Sequence, residues 1–131
     1  MDNKFLLDTS IIIGLLRQDT KTQDLIERVK GTAYTSSICM AELYEGIERA
    51  HNRQKAEKEL MTLILPLKIY DFSNDEAVIF GKIRSRLKKL GTVIGDMDLL
   101  IAATCLAHNL ILVTLNKQHF NRIKGLKLLA D

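Results

Sequence analysis

The chain has 131 residues, carries 19 Lys and Arg against 16 Asp and Glu for a net charge of +3, and is 47% hydrophobic. That length makes a single domain, residues 1–131, with room for a proper core, and the composition excludes a disordered chain. No apolar stretch approaches the roughly 20 residues that span a bilayer, and Met1-Asp2-Asn3-Lys4 lacks the order of a secretory leader, so a cytoplasmic protein without a membrane partner is expected. Cys39 and Cys105 sit in apolar runs and read as reduced core residues. His51, His108 and His119 form no pair at zinc-ligand spacing.

The predicted elements alternate. Phe5 to Leu7 is a continuous apolar run, as expected of a strand buried on both faces, and Asp8 stands at its carboxyl end. Two readings of Asp8 stay open at this point: the cap of a helix starting near Ser10, or a ligand group at the sheet edge where open α/β folds place their chemistry. A short helix follows from Ile11 to Arg17, then a second from Lys21 to Lys30, with Gly31 as its terminal glycine. Thr32 to Thr35 reads as a strand. Ser36 or Ser37 caps a helix over Ile38 to Ala50, and a further helix from Arg53 to Leu65 is stopped by Pro66. Leu67 to Phe72 alternates as a strand should. Ser73 and Glu76 then form a capping box that opens a long helix ending at Leu90 and Gly91. Gly95 precedes a helix running to His108, with Asn109 as a left-handed cap. Leu110 to Thr114, a short helix over Lys117 to Ile123, and a last strand at Leu126 to Leu129 complete the chain.

Strands alternating with helices require crossovers, so the expectation is a three-layer α/β/α domain around a mainly parallel sheet of about five strands. The exception is the helix pair between the second and third strands, an arm over Ile38 to Leu65 with more apolar surface than one sheet face needs. A parallel sheet gathers every strand's carboxyl end on one edge. Asp8, the start of the helix carrying Glu42, and Thr114 and Asn116 all fall there, and Asp98 joins them if its helix begins at the same edge. Each acid has a plainer reading. Glu42 shares the polar side of its helix with Glu45, Glu48 and Arg49, and a solvated glutamate is the ordinary outcome. Asp96 and Asp98 both suit a helix start, but two residues apart they point in opposed directions, so only one can face Asp8. Asp96 suits the N-cap. The basic run Lys82, Arg84, Arg86, Lys88 and Lys89, like Lys117, Arg122 and Lys124, reads first as solvated helix surface.

Four blocks in register resemble a known family: Leu6-Leu7-Asp8-Thr9-Ser10-Ile11, then Met40-Ala41-Glu42-Leu43-Tyr44-Glu45-Gly46, then Ile94-Gly95-Asp96-Met97-Asp98 into Leu99 to Ala103. The fourth is Leu112-Val113-Thr114-Leu115-Asn116-Lys117-Gln118-His119-Phe120 with Gly125-Leu126. The whole chain resembles the PIN domain, and within it the VapC-type toxins of bacterial and archaeal toxin–antitoxin pairs. The resemblance implies a metal-dependent endoribonuclease using Mg²⁺ or Mn²⁺, in which Asp8, Glu42 and Asp98 are catalytic and hold the ion, while Thr9 and Thr114 support them. The family often carries a fourth acid just after the strand-four threonine. Asn116 stands there, offering a carbonyl oxygen without charge and hence an outer-shell role. An RNA substrate, a small cognate antitoxin and a homodimer follow from the same resemblance. Two other classes remain open. Asp8, Asp71, Thr114 and Lys117 loosely match a receiver-like phospho-acceptor domain, and a catalytically inactive PIN-fold binding module would use the arm as its interaction surface.

Overall fold

Phe5, Leu6 and Leu7 are buried and form the middle of the sheet. The computed structural model describes residues 3–130. In chain order its elements are β1 (Asn3–Leu7), α1 (Thr9–Leu16), α2 (Thr20–Glu27), β2 (Gly31–Ser36), α3 (Ser37–Glu48) and α4 (Arg53–Ile64). β3 (Lys68–Tyr70), α5 (Asn74–Lys89), α6 (Asp96–His108), β4 (Ile111–Val113), α7 (Lys117–Phe120) and β5 (Lys127–Leu128) follow. The five strands lie in the order β3-β2-β1-β4-β5 and every pairing is parallel. This is the expected three-layer α/β/α architecture. The chain moves outward from β1 through β2 to β3, then returns to the other side of β1 for β4. The carboxyl ends of β1 and β4 therefore flank the point where strand order reverses, which is where such sheets hold ligands.

Alternation along β1 divides the core. Leu6 packs with Tyr34, Leu112 and the inner faces of α5, α6 and α7, through Leu87, Leu99, Ile101, Phe120 and Ile123. Phe5 and Leu7 pack with Val113 and with α1 to α4, through Ile11, Ile12, Leu25, Met40, Leu43, Ile47, Leu60 and Ile64. The arm is thus part of this second layer. Its apolar residues pack there with β1, α1 and α2, and of its large apolar side chains only Tyr44, Met61 and Leu65 remain exposed, at 46%, 37% and 85%. Among the described residues no helix is long and apolar enough to cross a membrane.

Local chemistry explains the boundaries and corrects several expected ones. The first helix starts at Thr9, because Asp8 itself is the N-cap and accepts from the Ile11 N–H. The second ends at Glu27, and Gly31 does not cap it. Gly31 opens β2 at a point where a Cβ would stand 2.0 Å from the Asn3 carbonyl oxygen, so close strand pairing demands glycine. Gly95, not Asp96, occupies the N-cap of α6. Asn109 is left-handed at φ 54°, Gly91 at φ 70°, and the capping box of Ser73 and Glu76 is present, all as expected.

That box reaches further than its own helix. Glu76 is 1% exposed, and besides Ser73 it contacts His108 Nε2 at the end of α6, whose ring stacks on Tyr70 at 4.3 Å. Burial pushes the Glu76 carboxyl up, but the bonds from Ser73 and His108 outweigh it and hold the group down at about 2, against an ordinary 4.5. The fold therefore favours the ionised form. Its contribution to stability is full above the unfolded value and drains away as pH falls towards the folded one. Glu76→Gln should melt well below the parent near neutrality, with the gap closing as both are taken down to about pH 2 in a series of melting curves. A gap independent of pH would show that the carboxylate's charge does not matter.

Candidate active site

Asp8 is the most buried acid of the site. It is 4% exposed, and no cation pairs with it among the described residues. The Ser10 hydroxyl donates to Asp8 Oδ1 at 2.6 Å, and the Ile11 N–H donates to the same oxygen at 3.2 Å. Both of these bonds fall on Oδ1. Burial raises the carboxyl above its usual range, and the hydroxyls of Ser10 and Thr114 with the Ile11 N–H only partly oppose this. Its effects spread: burial and the Asp8 charge both push the thiols of Cys39 and Cys105 up, which keeps these buried cysteines inert.

Both open readings of Asp8 are therefore true at once. It caps α1, and it stands at the switch point of the sheet.

Hydroxyl groups tie the neighbouring elements to it. Ser10 Oγ accepts the Leu115 N–H at 3.0 Å, and lies 3.5 Å from Thr114 Oγ1, which accepts the Asn116 N–H at 3.0 Å. The end of β4 is thereby fastened to the start of α1. Thr9 Oγ1 donates to Glu42 Oε1 at 2.6 Å, drawing the half-buried Glu42 towards Asp8. Glu45 and Glu48, on the same helix, pair instead with Arg49 and Arg53 at the surface. Glu42 is thus distinguished from its neighbours in a way its helical position alone did not disclose. Thr35 and Ser36, buried at the end of β2, bond the Leu7 carbonyl and the Cys39 N–H.

Asp98 and Asp96 diverge as their spacing requires. Asp96 is 84% exposed at its side chain and pairs with Arg84, whereas Asp98 is 31% exposed and its Oδ2 meets His119 Nδ1 at 3.2 Å. His119 is a residue the sequence reading missed, because histidines were searched for partners of their own kind. The available signal was its place three residues after Asn116, on the first turn of a helix starting at the same edge. Asn116 sits at the N-cap of α7 with no side-chain cap bond. Asp71 follows the edge strand β3, separated from β1 by β2, so it does not join Asp8 as a phospho-acceptor site would need.

As placed, the described residues include no cluster of three Asp, Glu, His or Cys close enough to grip an ion. The donor chemistry nevertheless suits a hard divalent cation. Three carboxylates, Asp8, Glu42 and Asp98, are held through one oxygen by Ser10 and the Ile11 N–H, by Thr9 and by His119 in turn. Beside Glu42, α1, α3 and α4 enclose a groove of about 540 Å³, apolar along Leu16, Leu43, Ile47 and Leu60, with Arg17, Arg49 and Glu59 also on its walls.

The chain has known relatives. The model of the PIN domain family matches residues 5–126. The chain is 36% identical over 128 residues to ribonuclease VapC1 of Rickettsia felis, covering 95% of this chain and 94% of that one. It is 30% identical over 128 residues to the tRNA(fMet)-specific endonuclease VapC of Salmonella typhimurium, covering 95% and 96%. The solved VapBC2 complex of Rickettsia felis, bound to a DNA fragment from its promoter, superposes with a TM-score of 0.88 at 31% identity, covering 95% of this chain and 96% of that one.

The double duty of Asp8 separates its two roles by mutation. Asparagine caps a helix as well as aspartate does, whereas alanine forfeits about 1 kcal/mol. Asp8→Asn should melt at or above the parent, relieved of a buried charge, and Asp8→Ala should melt below it by about the cap loss. Equal melting of the two variants in calorimetry would remove the cap from the account.

Proposed function

This chain belongs to the PIN domain family, and from that premise we propose that it is a metal-dependent endoribonuclease acting as the toxin of a toxin–antitoxin pair. The observation that carries the proposal is Asp8, a buried carboxylate held through Oδ1 by Ser10 and the Ile11 N–H at the reversal point of a parallel sheet. In this reading Asp8 and Asp98 hold Mg²⁺ or Mn²⁺ directly, and Glu42 holds it or orients its water. Asn116 engages a water in the outer shell. When bound, such an ion neutralises the phosphodiester and favours in-line attack by water.

The chain's own groups do the positioning. Ser10 fixes the plane of the Asp8 carboxylate, and Thr9 holds Glu42 through Oε1. Thr114, locked between Ser10 and the Asn116 N–H, keeps the β4 loop against the site. Gathering three carboxylates without a cation is disfavoured, and burial already works against ionisation of Asp8.

The toxin role supplies an occupant for the groove beside Glu42. A segment of a small antitoxin, apolar on one side and acidic towards Arg17 and Arg49, would fill it and reach the acids. Its VapC relatives are ribonucleases, and solved neighbours are toxin–antitoxin complexes. Homodimerisation is the remaining part of this reading, and Tyr44, Met61 and Leu65 are apolar groups left uncovered on the arm.

Cleavage of labelled RNA should require Mg²⁺ or Mn²⁺ and stop reversibly in EDTA. Asp8→Asn and Asp98→Asn should each lower the rate about a hundredfold or more, since even groups behind metal ligands cost 10–100-fold. Asp96→Asn should keep most turnover and, with its carboxylate bonded to Arg84 at the surface, cost little stability. Full cleavage in EDTA, or an Asp96 variant weaker than the Asp98 variant, would overturn the assignment. Expression alone should arrest growth, and light scattering at micromolar concentration should give a dimer; harmless overexpression or a strict monomer would count against those two parts.

A further inference from the structure

Charge is divided unevenly along this chain. Residues 74–130, from the start of α5, hold nine Lys and Arg against four acids, Asp75, Glu76, Asp96 and Asp98, while the rest of the chain is net acidic. The fold collects the basic part on one side, because α5, α6 and α7 cover one face of the sheet and α1 to α4 the other. Of its acids, Glu76 already meets His108 and Asp96 is paired with Arg84. Such asymmetry marks a side that meets a polyanion.

Within that side, the last turns of α5 meet the turn after α7 around a depression of about 120 Å³. Lys82, Arg86, Arg122 and Lys124 line it over a floor of Ile83 and Ile123, and no acidic side chain lines it. All four cations are exposed. Lys82 and Arg86 are four residues apart and share a helix face. The Arg122 guanidinium is held inward by the Val93 carbonyl at 3.4 Å. Four like charges around one hollow repel one another and return no packing energy, so the arrangement is stabilised only when an anion enters.

Its place in the fold ties it to the acids. Arg122 follows α7, whose His119 meets Asp98, and its guanidinium reaches the Val93 carbonyl just before α6, the helix whose first turn carries Asp98. A polymer lying across the hollow therefore passes the end of α6 where Asp98 stands. Beside the cations, Leu90 and Val93 are 68% and 84% exposed. Apolar surface next to fixed positive charge suits a strand whose bases are unpaired and can rest on it, which a duplex does not offer.

We propose that Lys82, Arg86, Arg122 and Lys124 form a seat for the phosphates of single-stranded RNA flanking the scissile bond; the choice of RNA rests on the ribonuclease reading above. The seat reads the backbone and fixes register, leaving base choice to the region of the acids. The arginines offer forked donors to phosphate oxygens and the lysines point charges.

The test is binding, measured in EDTA so that no cleavage occurs. A fluorescein-labelled 12-nucleotide single-stranded RNA is titrated with the unaltered chain, with Lys82→Ala/Arg86→Ala, with Arg122→Ala/Lys124→Ala, and with Lys55→Ala/Lys58→Ala. The last removes the same charge from α4 on the opposite face. Each seat variant should weaken binding about tenfold at low salt and reduce the slope of log K against log salt by about 1.4, while the α4 variant stays within about twofold. Melting curves of all four chains confirm folding, and the two seat variants report independently. Unchanged binding in both seat variants, equal loss in the α4 variant, or tighter binding of an oligoglutamate or a DNA duplex than of the RNA would overturn the proposal. Cleavage with Mn²⁺ is measured in parallel on the unaltered chain. Lost binding in the seat variants without any cleavage keeps the seat and removes the ribonuclease reading; cleavage with unaltered binding removes the seat and keeps that reading.

Discussion

A carboxylate removed from water and given no counter-charge has to be held by dipoles, and the arrangement around Asp8 follows from that need. One helix start supplies a backbone N–H, Ser10 supplies a hydroxyl, and Thr114 stands behind it. These contacts draw together β1, α1 and β4, whose ends meet only because the sheet is parallel and reverses its order at β1. Glu42 is then brought in from α3 through Thr9. The site is an assembly of short hydroxyl links between element ends, laid over a core that already fixes where those ends fall.

Glu76 makes the contrast plain. It is more buried than Asp8 and also bonded by a serine hydroxyl, yet it is ionised with ease. Ser73 lowers it most, and His108, which meets Glu76 from the next helix, adds to that. One carboxylate is satisfied by the protein and serves to join α5 to α6. The other is raised by burial that its hydroxyl and N–H partners only partly oppose, which is the condition of a group kept for an external partner.

Much of this was legible in the sequence because it is local. The Phe5 to Leu7 run, the Ser73 and Glu76 box, Asn109 and Gly91 each announce their geometry within a few residues, and the structure agrees. The divergence of Asp96 and Asp98 follows from helical periodicity alone. What escaped depends on distant partners. His119 meets Asp98 across 21 positions and His108 meets Glu76 across 32, and no local periodicity joins either pair. Gly31 looked like a helix terminus because its real constraint, the Asn3 carbonyl of the adjoining strand, lies far off in sequence. Asp96 looked like a cap because Gly95, the true cap, has no side chain to advertise the role. The arm looked like a projecting surface because the apolar residues of β1, α1 and α2 that pack with it cannot be weighed until all are packed.

α1 is only eight residues long, and its first turn holds Thr9 and Ser10 directly after Asp8. Through those three residues pass the links to Glu42, to Leu115 and to the environment of Thr114. Unwinding that single turn would cut all of them together, so the helix start and the arrangement of acids belong to one cooperative opening unit. Gly14, buried against Thr22 so closely that a Cβ would stand 2.1 Å from its hydroxyl, clamps the rest of α1 to α2. The clamp limits fraying from the far end and leaves the first turn as the segment whose local stability decides how long the site stays assembled.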